Sequence, residues 1–170
     1  MIYKSVQTES YFKKPDLSVK AVLLYGQNEG LIAEYTKKFV QTVSQDLYDP
    51  FAVVYLDWDD VKGDIGALSS EYNSQSLMGS RRVVVLKDAD NNLTKPLTEI
   101  LEGSTSDTLL VIVGAASLNG KSSLVSLANT DKQMASVACY EDRDETVASS
   151  ARAMLVSNGI TFSNDAFILL

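Results

Sequence analysis

Two glycine-containing turns carry residue types that could hold a phosphate. The first lies in "LLYGQNEGLIAE", where an apolar run precedes a helical pattern, and such a turn offers free backbone N–H groups to an anion. Its loop is one residue shorter than the pattern Gly-x-x-x-x-Gly-Lys-Ser/Thr, and Leu31 and Ile32 stand where the lysine and the magnesium-binding hydroxyl are needed. Glu29 would also repel a phosphate. We therefore interpret this turn as a connection that binds nothing.

The second turn, "AASLNGKSS" from Ala115, matches the same pattern if alanine replaces the first glycine. Its position argues against nucleotide binding, because nucleoside triphosphatases usually place this loop after an early strand and the metal-holding acidic strand later. After Lys121, only "ASVACYED" could form a strand. We interpret the Gly120-Lys121-Ser122 turn as the start of the helix "SSLVSLAN".

A small nucleotide-binding enzyme is the alternative interpretation. In that case Lys121 and Ser122 would contact phosphates, with Asp88 or Asp57 on magnesium. The stretch "VVVLKDAD" has the shape of the acidic strand of such an enzyme, but Lys87 stands where the paired acid would be. The sheet therefore resembles that of an ATPase, while its catalytic parts are expected to be absent.

The composition removes most catalytic chemistry. The 170 residues include no histidine and a single cysteine, Cys139, which excludes the common metal-ligand sets and nucleophile–histidine pairs. We expect no metal and no cofactor. The formal charge of −7 disfavours a protein that binds nucleic-acid phosphates directly. Arg81, Arg82 and Lys87 are as easily structural or interface charges.

The sequence predicts a cytoplasmic protein. A single cysteine cannot form an internal disulfide, and the opening "MIYKSVQTES" lacks the apolar core of a secretory signal. The apolar runs are far shorter than the roughly 20 residues needed to cross a bilayer. We therefore expect no association with a membrane.

Short apolar runs alternate with helical patterns along the chain. Because the runs are continuously apolar, they predict strands buried on both faces of a mostly parallel sheet, and the order of elements predicts a three-layer α/β fold. The polar stretch from Asp57 to Asp60, with Gly63, predicts a turn. The predicted strands are 21–25, 51–57, 81–88, 107–115 and a short one around "ASVACYE"; the helical stripes are Leu31, Ile32, Tyr35, Phe39 and Val43, then Ile65, Leu68 and Tyr72, then Leu97, Ile100 and Leu101 between Pro96 and Gly103.

The pattern becomes helical from residue 142 onward, with a stop at Gly159 and a new helix after Ser163. We predict a first domain over residues 1–141 and the beginning of a second, helical domain over residues 142–170.

The stretch "NSQSLMGSRR" places two apolar side chains, Leu77 and Met78, in a polar turn before a strand. One interpretation is that both side chains are exposed for a partner, where apolar anchors carry most of the binding energy. The competing interpretation is that both fold under the strand as core residues of a scaffold.

A series of stretches covers nearly the whole chain in a recognisable order: "KAVLLYGQNEGLIAEYTKKF", "VVYLDWDD", "NSQSLMGSRRVVVLKDAD", "LTEILEG", "DTLLVIVGAASLNGKSSLVSLA", "VACYEDRDE" and "NGITFSNDAFILL". Together they resemble the delta subunit family of the bacterial DNA polymerase III clamp loader. The resemblance implies a degenerate AAA+ domain, related to the P-loop NTPases, that has kept the sheet and lost nucleotide binding. Full family members continue through a lid into a third, helical domain, so the chain is expected to be an amino-terminal part.

The resemblance also implies a function and partners. The chain would be a non-catalytic subunit, without ATPase activity, of the DNA polymerase III holoenzyme, which is a nucleotidyltransferase that replicates DNA. Its partners would be the sliding clamp (the beta subunit) and the ATPase and delta-prime subunits of the loader, the latter mainly through the part beyond this chain. Contact with DNA would be indirect or within the assembly.

In the family, a short hydrophobic plug close to Gln-x-x-x-Leu-Phe enters a pocket on the clamp. The resemblance puts Leu77 and Met78 on the Leu-Phe pair, Gln75 on a preceding contact position and Asn73 on the glutamine. Met78 replaces an aromatic residue, and Asn73 is shorter than glutamine. The implied mechanism is mechanical: the plug favours an opened ring, and ATP on partner subunits drives the cycle.

Overall fold

The computed structural model describes residues 2–3, 14, 16, 18–75 and 81–140, and for residues 2–3 the backbone alone. Two compact units divide the chain, Met1–Cys139 and Tyr140–Leu170. The helical domain predicted over residues 142–170 lies outside the described residues. Its boundary therefore stays a prediction.

Six parallel strands form one sheet in the described part of the chain. They are β1 (Ile2–Tyr3), β2 (Ala21–Tyr25), β3 (Val53–Asp57), β4 (Val83–Ala89), β5 (Leu109–Gly114) and β6 (Met134–Ala138). Their order across the sheet is β1-β6-β2-β5-β4-β3, and every neighbouring pair is parallel. β2 therefore lies inside the sheet between the last two strands of the chain.

The strands are apolar on both sides, as the sequence predicts. All five residues of β2 are buried, and so are the first four of β4 and of β5. The predicted strand at 51–57 begins two residues later, because Phe51 and Ala52 belong to the preceding turn. The two-residue β1 was not predicted, since a strand this short has no pattern of its own.

Among the described residues, helices join the strands from β2 onward. They are α1 (Glu29–Gln41), α2 (Trp58–Val61), α3 (Ile65–Asn73), α4 (Thr94–Gly103), which follows a 3-10 turn at Asn91–Leu93, and α5 (Ser123–Thr130). Polar side chains fix several of their starts by accepting N–H groups that have no partner inside the helix. Asn28 Oδ1 accepts from Leu31 N at 2.9 Å before α1, and Asp64 Oδ1 accepts from Gly66 N at 3.1 Å before α3.

Two separate apolar cores lie on opposite faces of the sheet. One contains buried residues of α2, α3, α4 and α5, packed on strand residues such as Leu23 and Leu86. The other contains residues of α1, among them Phe39, packed on Val22 and Val85. Fully burying a side chain of this kind contributes about 1.5–3 kcal/mol. Because helices pack on both faces of the sheet, the predicted three-layer, parallel α/β fold is confirmed.

The turn predicted from Asp57 to Asp60 is wrong, because these residues begin α2. Asp57 Oδ1 accepts from Asp59 N at 2.9 Å and caps the helix. Trp58 and Val61 lie three residues apart, so both point into the core, with exposed fractions of 3% and 4%. Three aspartates made this stretch look like a loop, although two of them stand where a helix start favours acidic residues.

Candidate functional site

The predicted clamp-binding segment joins α3 to β4. Asn73 is the last residue of α3, and Gln75 follows it with an exposed side chain. Leu77 and Met78 lie outside the described residues, which resume at Arg81. The structure therefore describes the residues on either side of this pair. We call the contacts of Asn73, Arg81 and Arg82 the frame of the segment.

Asn73 is tied to the protein rather than pointing freely into solvent. Its Nδ2 donates to the carbonyl oxygen of Ser69 at 2.8 Å, within its own helix. Its Oδ1 accepts a hydrogen bond from Ser104 Oγ, in the loop between α4 and β5. The side chain thus links the end of α3 to this loop.

Arg82 holds both ends of the segment together. Its Nη1 donates to the carbonyl oxygens of Glu71 at 3.2 Å and of Ser74 at 3.1 Å, and its Nη2 lies 3.2 Å from Glu71 Oε2. The arginine is 8% exposed. A buried guanidinium needs such partners, because an unpaired charge in the interior is costly. Arg82 is therefore a structural tie.

Arg81 extends the same frame to the start of the sheet. Its Nε donates to the carbonyl oxygen of Asp107 at 2.6 Å and its Nη2 to that of Val19 at 2.9 Å. Ser106 Oγ donates to the carbonyl oxygen of Tyr72 at 2.9 Å. The sequence did not single out these loop residues, and its only signal for the frame was an arginine pair directly before a buried strand.

The β2–α1 turn uses its own N–H groups. Gly26 has a φ of 135° and lies so close to Cys139 that a Cβ would come 2.0 Å from the Cys139 carbonyl oxygen. Asn28 N donates to that same oxygen at 3.0 Å. Leu31 N and Ile32 N donate to Asn28, to its side chain at 2.9 Å and its carbonyl oxygen at 3.0 Å. These three groups are therefore not free for a phosphate.

The turn at Gly120-Lys121-Ser122 is closed in a similar way. Asn119 N donates to Ser122 Oγ at 3.0 Å, and Lys121 N donates to Asn119 Oδ1 at 3.0 Å. Leu124 N donates to Asn91 Oδ1 at 3.3 Å. The turn starts α5 as predicted, and Lys121 itself is exposed.

The two candidate magnesium ligands lie on neighbouring strands, because Asp57 pairs with Lys87, the residue before Asp88. Asp57 caps α2 on the edge strand β3. Asp88 lies at the end of β4, where the pairing with β5 is irregular between Leu86 and Ala89, and it has a φ of 55°. Across residues 18–75 and 81–140, no group of three or more histidine, cysteine, aspartate or glutamate side chains is arranged to hold a metal ion.

A cavity of about 580 Å³ lies at the carboxyl ends of the strands, beside α1. We call it the strand-end cavity. Residues of α1 line one side of it, its wall, residues of β3, β4 and β5 line the other, its floor, and Leu47 of the loop before β3 also lines it. Asp88 lines it, whereas Asp57, Lys121 and Ser122 do not. In open α/β sheets this edge is where ligands usually bind.

A family model described as DNA polymerase III, delta subunit, matches residues 22–139, which is more than half of the chain. The chain belongs to the DNA polymerase III delta subunit family. The resemblance identified from the sequence is thereby confirmed. A comparison with curated protein sequences gives no significant match.

Two solved structures are similar to this chain in fold. The chain is similar to the Bacillus subtilis DNA clamp loader delta protein, with a TM-score of 0.67 and 16% identity over 95% of this chain and 50% of that one. A DNA polymerase III gamma subunit-related protein from Thermotoga maritima gives a TM-score of 0.51 and 14% identity over 85% and 49%. These likenesses show the fold alone. The delta-family chain spans about half the length of both structures.

No helix among the described residues of this delta-family chain is long and apolar enough to span a bilayer.

Proposed function

We propose that this chain is a non-catalytic subunit of the DNA polymerase III clamp loader that binds the sliding clamp through residues 73–78. Leu77 and Met78 would enter an apolar pocket on the clamp, with Gln75 and Asn73 making contacts beside it. Family membership supports the role, and the frame around the segment supports the residues. The single observation that carries the proposal is the tie between Arg82 and Ser74, which holds the two ends of the segment close together.

A segment held at both ends suits an apolar anchor. Holding the ends lowers the conformational entropy that binding must remove, so more of the apolar transfer energy remains as affinity. Leu77 and Met78 would each contribute about 1.5–3 kcal/mol of transfer free energy before that cost. Methionine can replace an aromatic residue here because its flexible, polarisable side chain adapts to shaped apolar pockets.

The mechanism we propose is a shift of population rather than a chemical step. A subunit that binds the opened ring more tightly than the closed ring moves the clamp toward the open state by that difference in affinity. The energy for repeated cycles would come from ATP on partner subunits. The ATPase and delta-prime subunits are the partners proposed for this assembly, with DNA contacted indirectly and the cytoplasm as the place of action.

The absence of ATPase activity is part of the proposal. The bonded N–H groups of both glycine turns support it. Asp57 supports it as well, because its Oδ1 caps α2 and its side chain does not line the cavity that Asp88 lines. Calorimetry with ATP and magnesium should show no saturable binding to this chain. Saturable binding that is lost in Lys121→Ala would instead establish the nucleotide-binding enzyme.

Surface plasmon resonance against the purified sliding clamp from the same source tests the clamp proposal. The double variant Leu77→Ala, Met78→Ala should bind about 100-fold more weakly or not at all. The control is Phe51→Ala, which removes an aromatic side chain that is 61% exposed elsewhere on the domain.

Each outcome is informative. Loss of binding in the first variant but not in the control supports both the partner and the residues. Binding that survives in the first variant keeps the partner and discards the residues. If the unaltered chain does not bind, this stretch of the family does not bind the clamp by itself.

A further inference from the structure

The strand-end cavity has an ordered distribution of charge. Glu29 is the first residue of α1 and Lys37 lies eight residues later, so about 12 Å of helix separate them at about 1.5 Å per residue. Both side chains line the cavity. The wall of the cavity is therefore acidic at the end near the β2–α1 turn and basic two turns further along.

The floor of the cavity repeats this polarity. Asp88 marks the carboxyl end of β4 and is on the same side of the sheet edge as the start of α1. Lys87 reaches the other way, because its Nζ lies 5.5 Å from the centre of the Tyr55 ring, and Tyr55 pairs with Val85, two residues before Lys87. Wall and floor thus each carry a carboxylate nearer the β2–α1 turn and an ammonium group further from it.

These charges are available to a ligand. Within residues 18–75 and 81–140, none of the four groups forms an ion pair. Lys87 Nζ lies 5.5 Å from the centre of the Tyr55 ring, which leaves the N–H donors on its other side for an anion. The strained φ of 55° at Asp88 and the irregular pairing around it are features that proteins keep mainly at functional sites.

The middle of the cavity is apolar. Ile32 and Ala33 on α1 face Val113 on β5, and Leu47 and Tyr55 close the far end. Tyr48, which is 81% exposed, packs at 6.3 Å against Tyr55 and continues this surface outward. An exposed aromatic pair beside an apolar cavity is typical of protein-binding surfaces rather than of ordinary solvent-exposed surface.

We infer that the strand-end cavity is a docking site for an extended segment of a partner protein, in which an apolar residue lies between a basic residue and an acidic one. In an extended chain, residues i, i+2 and i+4 project to the same side and span about 13 Å at about 3.3 Å per residue. This length matches the roughly 12 Å between Glu29 and Lys37 along α1. The basic residue would pair with Glu29 and Asp88, the apolar residue would cover Ile32 and Val113, and the acidic residue would pair with Lys37 and Lys87.

This inference is independent of the clamp proposal, since the cavity lies at the carboxyl ends of the strands and residues 73–78 lead into the amino end of β4. The test uses the 170-residue chain and the capped peptide acetyl-Gly-Lys-Ser-Leu-Ser-Glu-Gly-amide. Two peptides serve as controls: one has serine in place of leucine, and the other has lysine in place of glutamate. Binding is followed by the amide NMR signals of the protein.

The expected result is a saturable shift of the signals of residues 26–37 and 113–116 by the first peptide, with weaker binding of both controls. Reversing the basic end with Lys37→Glu, Lys87→Glu should weaken binding of the first peptide about tenfold and make the doubly basic control the better ligand. Both lysines are exposed, and an unchanged NMR spectrum away from the cavity shows that the variant is folded. If Lys87→Glu alone perturbs the sheet, Lys37→Glu carries the same test.

Three results would overturn the inference. The peptide could give no saturable shifts at millimolar concentration, the shifts could map to another surface, or the charge reversal could leave the preference between peptides unchanged. Each of these results leaves the plasmon resonance measurement of clamp binding unaffected, so failure of one proposal is distinguishable from failure of the other.

Discussion

Arg82 Nη1 lies 3.1 Å from the carbonyl oxygen of Ser74, so the chain on one side of residues 76–80 is bonded directly to the chain on the other side. The same guanidinium reaches both the carbonyl and the carboxylate of Glu71. A single buried side chain therefore closes the base of the loop that carries the proposed clamp-binding pair. This makes the geometry of the loop dependent on a residue that does not itself belong to the proposed contact.

Arg82→Ala should lower the free energy of unfolding by about 2–4 kcal/mol, because three acceptors lose a buried charged donor. Arg82→Lys should recover part of this loss, since one ammonium cannot reach all three acceptors in the geometry of a guanidinium. Urea unfolding of the 170-residue chain measures both. Glu71→Gln is the matched control and should cost less than about 1 kcal/mol, because Glu71 is 41% exposed and its carbonyl bond remains. Equal stability of Arg82→Ala and the parent chain would contradict the tie.

Gly26→Ala should be severely destabilising. A Cβ at this position would come 2.0 Å from the Cys139 carbonyl oxygen, and the φ of 135° is one that residues with a side chain rarely adopt. We expect a loss of more than about 3 kcal/mol or failure to fold. Gly63→Ala provides the comparison, since nothing lies within 4 Å of a Cβ there, and it should change the free energy of unfolding by less than about 1 kcal/mol. Thermal unfolding of the two variants separates these cases.

The domain should lose stability at alkaline pH. Burial raises the pKa of Tyr72 from 10.0 to about 12 and that of the Cys139 thiol from 9.0 to about 12. The unfolded chain therefore releases these protons at lower pH than the folded chain does. The stability that the two neutral groups contribute is complete below pH 9 and is lost as the pH rises toward 12, by about 1.4 kcal/mol per pH unit for each group that titrates only when unfolded. Urea midpoints measured between pH 8 and pH 11 give this slope.

Tyr72→Phe and Cys139→Ala are the controls for that slope. Each variant removes one of the two buried groups. The free energy of unfolding should then fall less steeply at pH values above the ordinary pKa of the group that was removed. A slope that neither variant changes would mean that other groups govern the alkaline transition.

Trp58→Phe should be close to neutral despite the burial of the side chain. Trp58 is 3% exposed, and its Nε1 has no acceptor among the residues that the structure describes. Phenylalanine removes this unsatisfied donor, which offsets part of the packing lost with the larger ring. We expect a change within about 1 kcal/mol for phenylalanine and a loss of about 3–5 kcal/mol for Trp58→Ala. Chemical unfolding of both variants gives the comparison, and a loss of several kcal/mol with phenylalanine would contradict the prediction that removal of the unsatisfied donor offsets the lost packing.

Much of the fold followed from the sequence because its strands are unusually apolar. The run "AVLLY" coincides with β2, and Gly103 ends α4 as predicted. The predicted apolar stripe of Ile32, Tyr35 and Phe39 is the buried face of α1. Continuous burial on both faces keeps the centres of β2, β4 and β5 apolar, so the position of each of these strands is visible in the sequence. The exact limits were less visible, since β4 also contains Lys87 and Asp88.

The elements that sequence reasoning missed depend on contacts distant in the chain. α2 was mistaken for a turn, because three of the four residues from Asp57 to Asp60 are aspartates and only one apolar pair, Trp58 and Val61, has helical spacing. The anchoring of residues 76–80 was also not predictable, since Arg82 could equally have been a surface charge. The strand-end cavity draws its residues from five separate stretches, and only the order of strands in the sheet brings them together.

The position of β2 has a consequence for how the domain is made. β2 is an early strand, yet both of its neighbours, β5 and β6, are synthesised after nearly all the rest of the sheet. During translation, "AVLLY" therefore has no neighbouring strand to pair with, while β3 and β4 can already pair with each other. Strand pairing between residues so distant in the sequence slows folding and leaves an apolar strand exposed to aggregation. The nascent chain of this domain is thus most vulnerable before residue 109 leaves the ribosome, and factors that shield apolar segments should matter most for it in that interval.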